Sequence, residues 1–455
     1  MTLIDIESFS LRFRQDKCIM CGACAITCQK QGAAVYSKAS KALNQLPMLT
    51  PHRDVMSEDG PQPKIVDGVI TLTDFADTNC MNCGQCILTC PTDAITTAGS
   101  TRFVRKAMKD KKKVAALIAP TTHVAMPEHF NGELGIDSTS KTVGALRKAG
   151  FTTIHDVNYG ADLTTLEDMK ELKHALKHGN TPVFTSCCPA WVLHAEKNVH
   201  WAIPHISTAK SCVSMVASIL REDPEYKDAF IVDIMPCTAK KYERAREELC
   251  GEIDACLTIY EAAELIKEAG VRSWDDVEES DFDQLGGNSS GGAAIFGIAG
   301  GVMTNIIRQL RKEEGYPDEG NIELTEVYRK LNQNAYETSF TYKGKTVKAC
   351  YANGGSAVRF VLKELEKDKS RWDVVECMMC PGGCRGGAGV QKKAKTNKPA
   401  LLKAREQGMK ARDEKLGRTA PEDIAEVNDA YKTYMIDEKD VERILHTSFK
   451  IIDIK

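Results

Sequence analysis

The chain has 455 residues, 42% of them hydrophobic and 27% charged, with a formal net charge of -3. That balance excludes a mainly disordered chain and gives no long-range attraction to nucleic acid or anionic lipid, so small molecules and proteins are the expected partners. The opening "MTLIDIESFSLRFRQDKC" lacks the apolar core of a signal peptide and no long apolar run follows it, which predicts a cytoplasmic chain with no membrane span and roughly two to four domains.

From the N-terminus, residues 18–28 read "CIMCGACAITC" and residues 80–90 read "CMNCGQCILTC", each a C-x2-C-x2-C-x3-C run. In two-cluster bacterial ferredoxins this spacing lets three thiolates wrap one 4Fe-4S cluster while the fourth crosses to the other. The expected sets are Cys18, Cys21, Cys24 and Cys90, then Cys80, Cys83, Cys86 and Cys28. Only the second run has the following proline, Pro91; the first has Gln29. Zinc sites fit less well, because zinc knuckles use cysteines in pairs. Between the runs, "PMLTPHRDVMSEDGPQPK" reads as a surface excursion.

Next comes the basic run "RKAMKDKKK", expected to be a solvated linker face. It is followed by the apolar strand "VAALIAP", ending at Pro120. Strand-length apolar segments then alternate with helical patterns. "FTTIHDVN" precedes "LTTLEDMKELKHALKHG", whose Leu163, Leu166, Met169, Leu172 and Leu176 recur at helical spacing, with Gly179 as a C-cap. "PVFTS", "AFIVDIMP", "ACLTI" with the helix "YEAAELIKEAG", "VKACYANGG" and "WDVVECMM" follow. The alternation predicts an α/β class of parallel sheets covered by helices.

With 18 cysteines the chain is far below a disulfide scaffold's density, and in a reducing compartment such thiols are more often metal ligands. Cys187 and Cys188 are neighbours, which disfavours a bridge between them. Cys188 follows one strand, Cys237 another, and Cys380 with Cys384 a third, so four thiols could meet where loops converge beyond strand ends. By spacing alone "CPGGC" is equally a zinc half-site or a thiol redox pair, and any lone cysteine a small buried hydrophobe.

"TSCCPAW" at 185–191, "MPCTAKKYE" at 235–243 and "CMMCPGGCRGG" at 377–387 resemble the three signature motifs of iron-iron (FeFe) hydrogenases. The glycine-rich "GGAAIFGIAGGVM" at 291–303 is similar to a further segment of that family, and residues 405–449 to its small-subunit-like helical extension. The resemblance implies a two-cluster ferredoxin-like domain at 1–105, a two-lobed catalytic domain at 106–400 and a helical extension at 401–455. It implies an H-cluster: a 4Fe-4S cluster on Cys188, Cys237, Cys380 and Cys384, joined through Cys384 to a two-iron unit with CO, cyanide and azadithiolate.

In the same resemblance Cys187 is a free thiol that moves protons, Asp168 and Glu171 match the acidic relay residues, and Ser207 stands with them. Asp168 replaces the usual glutamate. Lys240 would reach a cyanide, Pro120 and Thr121 match the segment binding the second cyanide, and Met235 and Met378 would wall the diatomic ligands. Lys241 is expected to be solvated, and Cys250, Cys256 and Cys350 structural. Ala190, "SCV" at 211–213 and "GGAGV" at 386–390 depart from the usual pattern, marking a divergent branch. Cys212 and Cys377 are additional thiols without an expected role. The implied partners are H2, protons, a ferredoxin- or flavodoxin-like carrier and maturation proteins. A slow hydrogen sensor and a non-catalytic iron-sulfur assembly factor are the alternatives.

Overall fold

The computed structural model describes residues 5–7, 10–14, 17, 19, 21, 23–31, 64–66, 69–71, 79–316, 322–391, 399–417 and 420–453. Cys18 and most of the excursion between the two cysteine runs lie outside the described residues.

Near the N-terminus, β1 (Asp5–Glu7), β2 (Leu11–Arg14), β3 (Lys64–Val66), β4 (Val69–Thr71) and β5 (Ile95–Thr97) form a sheet in the order β3-β4-β1-β2-β5. Two helices carry cysteines beside it, Ala23–Gln31 and Gln85–Thr89. The basic run is not a plain linker. It continues a helix, Thr101–Lys109, which buries Val104 and Ala107 and leaves its lysines to solvent. Apolar residues three apart on a short segment suffice to hold one helical face down.

The second sheet joins β6 (Val114–Ile118), β7 (Thr153–Asp156), β9 (Phe230–Met235) and β10 (Ala255–Thr258) in the order β10-β9-β6-β7, all parallel. Every residue of β6 is buried, as expected when helices cover both faces. Side chains alternate between two cores. Ala116, Ile118, Val232 and Ile234 face one, and Ala115, Leu117, Ile231 and Met235 face the other.

The third sheet has the order β11-β12-β13-β14-β8, from β8 (Val183–Phe184), β11 (Thr325–Lys330), β12 (Gln333–Tyr342), β13 (Lys345–Asn353) and β14 (Val374–Met378). Here the parallel expectation holds only for β13-β14 and β14-β8; β11, β12 and β13 form an antiparallel meander. Short turns between these strands leave no length for a crossover helix, which a parallel pairing requires.

The amphipathic segment is a helix, Val157–His178, and it starts earlier than its leucine pattern suggests. Asp156, the last residue of β7, caps it by accepting from the Asn158 N–H at 2.9 Å, so strand passes into helix with no loop. Gly160 in its first turns admits the backbone of the next helix. A Cβ there would stand 2.0 Å from the carbonyl oxygen of Cys212, which opens the helix Cys212–Glu222.

Three helices at the C-terminus, Pro399–Lys415, Ala425–Tyr434 and Glu438–Leu445, wrap the second sheet's helices. Arg405 and Glu128 anchor the first of them as a fully buried, bidentate ion pair, with both N–O distances 2.6 Å. Among the described residues no helix is long and apolar enough to cross a membrane.

Candidate metal centre

The second sheet's strand order reverses at β6 and β9, and the loops leaving their carboxyl ends flank a crevice. Pro120 and Thr121 follow β6; Pro236 and Cys237 follow β9. The adjacent β8 and β14 of the third sheet end against the same place and deliver Cys187, Cys188, Cys380 and Cys384. Together these loops line a cavity of about 90 Å³, several times what one water needs and so more than a packing void. Cys187, Cys188, Cys237, Cys380, Cys384, Lys240, Met235, Met378, Pro120 and Thr121 all line it.

Local structure aims the sulfurs inward. Cys188 is the N-cap of the helix Pro189–Asn198, and backbone N–H groups of Ala190, Trp191 and Met379 face its sulfur. Those of Ala239 and Lys240 face Cys237. Burial raises both thiols, and these N–H groups oppose it. "CPGGC" bends back on itself through Gly383, at φ +82°. A Cβ there would lie 2.7 Å from the backbone nitrogen of Ala299, so the loop presses on the glycine-rich segment and tolerates no side chain.

Burial pushes Cys237 up to about 12, helped by Cys188 and opposed by Lys240. Cys380 and Cys384 are pushed well above the usual thiol range, first by burial and then by Cys237 and Cys188. Thiols that raise one another in this way resist ionising together unless a positive centre stands between them, which iron supplies. Among the described residues no group of His, Cys, Asp or Glu closes on a point as one ion's ligands do. The thiols instead surround a cavity, as an inorganic core bound at several corners requires. Thr121 adds a buried hydroxyl with no hydrogen-bond partner among the described residues. The donor set therefore fits an iron-sulfur core with further acceptor ligands.

Lys240 is buried, and its Nζ donates to Glu243 Oε2 at 2.6 Å. Burial works to lower this lysine, but the Glu243 carboxylate outweighs it and the ammonium is held charged. One donor is thus satisfied, leaving others for a ligand in the cavity. Lys241 contradicts its expected solvation. It is fully buried, donating to the Ala98 and Cys256 carbonyls and to Ser100 Oγ, and paired with Glu261. Four oxygens converge there because the helix Thr101–Lys109 packs over the end of β10, a meeting invisible in the motif.

Cys187 is hydrogen-bonded to Cys212, with Sγ atoms 4.0 Å apart; this bond and burial hold its thiol protonated. Ser207 Oγ donates to Asp168 Oδ1 at 2.6 Å. Asp168 Oδ2 is buried with no partner among the described residues. Burial raises this carboxyl to about 8 against the opposing Ser207 bond, so it carries a proton near neutral pH. Glu171, one turn on, accepts from the Thr208 N–H at 3.0 Å and the Thr208 hydroxyl at 2.5 Å. The expected acidic pair is therefore brought to one loop, 207–208, with Asp168 inside and Glu171 at the surface. Cys212, Glu243, Thr208 and His446 complete these networks; only Cys212 carried a sequence signal, as a departure from the usual segment.

The second cysteine run docks directly on this centre. Cys83 lines the cavity, Gln85 Nε2 donates to the Gly386 carbonyl at 3.1 Å, Thr238 Oγ1 to the Asn82 carbonyl at 2.7 Å, and Lys197 Nζ to the Cys80 carbonyl at 3.1 Å. Burial raises Cys83, and Cys28 and Cys80 raise it further, which brings the last cysteine of the first run beside the second. Cys24 is buried and Cys21 exposed. Cys86 is raised by burial and by Cys24, Cys83, Cys28 and Cys80, while Cys90 accepts from the Ala94 N–H. Cys256, Cys350 and Cys377 are buried in the cores and Cys250 is exposed.

Residues 112–388 match the family described as iron only hydrogenase large subunit, C-terminal domain, and residues 17–94 match the 4Fe-4S dicluster domain. The chain is 32% identical to iron hydrogenase 1 of Clostridium pasteurianum over 85% of its own length and 66% of that protein's. It is 35% identical to the periplasmic Fe hydrogenase large subunit of Nitratidesulfovibrio vulgaris, over 63% of this chain and 70% of that one. It thus spans about two thirds of the length of these hydrogenases. Cytosolic iron-sulfur assembly component 3 of Mus musculus matches at 25% identity over 88% of this chain and 87% of its own. The structure of the FeFe-hydrogenase HydA1 from Chlamydomonas reinhardtii superposes with a TM-score of 0.67 at 26% identity, covering 77% of this chain and 99% of that one. With four-thiol loops, dicluster unit and fold in agreement, the chain belongs to the iron-only hydrogenase large-subunit family.

Proposed function

We propose that this protein is an FeFe hydrogenase interconverting H2 with protons and electrons, exchanging the electrons through two 4Fe-4S clusters with a low-potential carrier such as ferredoxin. One observation carries the reading: a single cavity is lined by four candidate ligand thiols, a fifth thiol held protonated, and Cys83 of the dicluster unit. The domain boundaries at 105 and 400 and a cytoplasmic, anaerobic setting belong to the same reading.

Cys188, Cys237, Cys380 and Cys384 would hold the H-cluster, with Cys384 bridging to the two-iron unit, and the two cysteine runs would hold the paired clusters. When bound, the two-iron unit supplies the redox chemistry of H2. The chain's own residues bind and supply protons. Lys240, held charged by Glu243, offers its remaining N–H donors to an anionic ligand. Thr121 offers a hydroxyl with no partner among the described residues, while Met235 and Met378 keep the lining apolar. Cys187 gives and recovers a proton at Sγ, and Asp168, protonated at neutral pH, stands behind it with Ser207 fixing Oδ1. Glu171 takes the outer position.

The test is anaerobic loading with the two-iron unit by maturation proteins, infrared detection of CO and cyanide bands, and H2 evolution from reduced methyl viologen. Bands with rapid evolution are expected. Bands without turnover would indicate a sensor. Matching an assembly component over nearly the whole of both chains favours a second reading, iron-sulfur assembly; 4Fe-4S clusters alone after full maturation would support it.

A further inference from the structure

The outer end of the acidic pair is covered by the C-terminal extension. The strand-like turn after the helix Glu438–Leu445 pairs Ala209 with His446, and its backbone is pinned on both sides: the Lys210 N–H donates to the Leu445 carbonyl at 2.7 Å, and the Thr447 N–H to the Thr208 carbonyl at 2.8 Å. This places the imidazole of His446 over loop 207–208. Its Nδ1 lies 2.8 Å from Thr208 Oγ1 and 3.5 Å from Glu171 Oε1, and its Nε2 lies 3.2 Å from Glu167 Oε2.

The hydrogen-bond directions follow from donor inventory. The Thr208 hydroxyl donates to Glu171 Oε1, so it accepts from His446, and Nδ1 is the donor. Nε2 donates to the Glu167 carboxylate, which also receives Lys170 Nζ and the Tyr431 hydroxyl. With both nitrogens donating, the ring is an imidazolium. Burial opposes that charge, but the bonds from Glu167 and Glu171 prevail and lift His446 to about 9. Its side chain retains 10% exposure, enough to meet water.

We infer that His446 is the outermost station of the proton path, passing protons between bulk water and Glu171 by way of the Thr208 hydroxyl. The inference rests on the proposed hydrogenase reading for its purpose, though the path is measurable without it. In the inward step the Nδ1–H bond breaks and its proton bonds to Thr208 Oγ1, as the original hydroxyl proton bonds to Glu171 Oε1. The Thr208 hydroxyl then rotates back, and hydronium from bulk water reprotonates the bare Nδ1 and leaves as water, restoring the imidazolium, so one proton enters for each that reaches Glu171. H2 oxidation runs the same transfers outward. The extension thereby becomes part of the site rather than a brace beside it.

The test uses the full chain. His446→Asn keeps the backbone anchors, which involve no side chain, and removes the titrating ring; His446→Ala opens room for added imidazole. In protein without the two-iron unit, infrared mixing with D2O reads exchange of the protonated Asp168 carboxyl, assigned by its loss in Asp168→Asn. In loaded protein, the pH profile of H2 evolution is read. His446→Asn is expected to slow both by about tenfold or more, as loss of a general acid-base station does, and imidazole to restore His446→Ala. Unchanged exchange, rate and pH profile would overturn the inference and mean that Glu171 meets solvent directly. A loaded wild type without turnover would contradict the hydrogenase reading instead; the exchange rate at Asp168 then decides on its own, slowed exchange supporting the path and unchanged exchange refuting it.

Discussion

The adjacent thiols Cys187 and Cys188 are both held above the usual thiol range but take different partners from one short turn. Cys188 caps a helix and faces backbone N–H groups, as a ligand sulfur would; Cys187 faces Cys212 and keeps its proton. Cys187→Ser is expected to keep iron content and infrared bands while lowering H2 turnover by about a hundredfold or more, because a serine hydroxyl is far less acidic. Wild-type rates in that variant would remove Cys187 from the proton path. Asp168 lends a pH dependence whose sign is fixed by its raised carboxyl: it holds a proton below about pH 8 and loses it above. H2 evolution should fall on the alkaline side of that value, and Asp168→Asn should be slow with a flattened profile, measured from pH 6 to 9. At this scale the motifs revealed the candidate ligands because metal binding demands a residue type at a spacing. Lys241 and His446 stayed hidden because their roles depend on neighbours 20 and 279 positions away, Glu261 and Glu167.

Elements converge here because two different sheets end at one cavity. β6 was readable as an unbroken apolar run and β9 as one interrupted by Asp233, since buried parallel strands need no polar face. The β11-β12 hairpin was not, because β11 is largely exposed and its polar sequence resembles a surface loop. The helix Val157–His178 showed its outer half as a leucine stripe. Its first turns interleave Gly160 and Thr164, which pack under Cys212 and Met215, with the core residues Val157, Tyr159 and Leu163, so no leucine stripe marks them. The C-terminal helix Pro399–Lys415 is tied down by several ion pairs, Arg412–Asp156 and Arg308–Asp413 among them, and Arg405–Glu128 is the most deeply buried. Arg405→Ala would leave the Glu128 carboxylate buried without its cation, accepting still from the neutral Gln391 amide, at a cost of about 3–5 kcal/mol. Urea denaturation should report that loss; a change within error would mean the helix is held by its other ion pairs and its apolar contacts.

Across the whole molecule, the dicluster unit and the cavity share a wall. Cys83 belongs to both, Gln85 and Asn82 are bonded to loops that carry candidate ligands, and Cys80 is bonded to Lys197 of the helix Pro189–Asn198. The repeated cysteine runs made the unit legible, but their docking was not, since it depends on single side-chain to backbone bonds across 156 and 301 positions. Cys83→Ala should lower bound iron and slow turnover driven by reduced ferredoxin more than turnover driven by methyl viologen, which reaches the site without the relay. Equal loss with both donors would argue against an electron path through Cys83. The most direct measurement of the central claim needs no electron donor: incubation of the loaded protein with D2 in ordinary water and mass spectrometry of the gas. Formation of HD, lost in Cys187→Ser, is the expected result. Protein that carries the CO and cyanide bands yet forms no HD would contradict a hydrogenase site in this cavity.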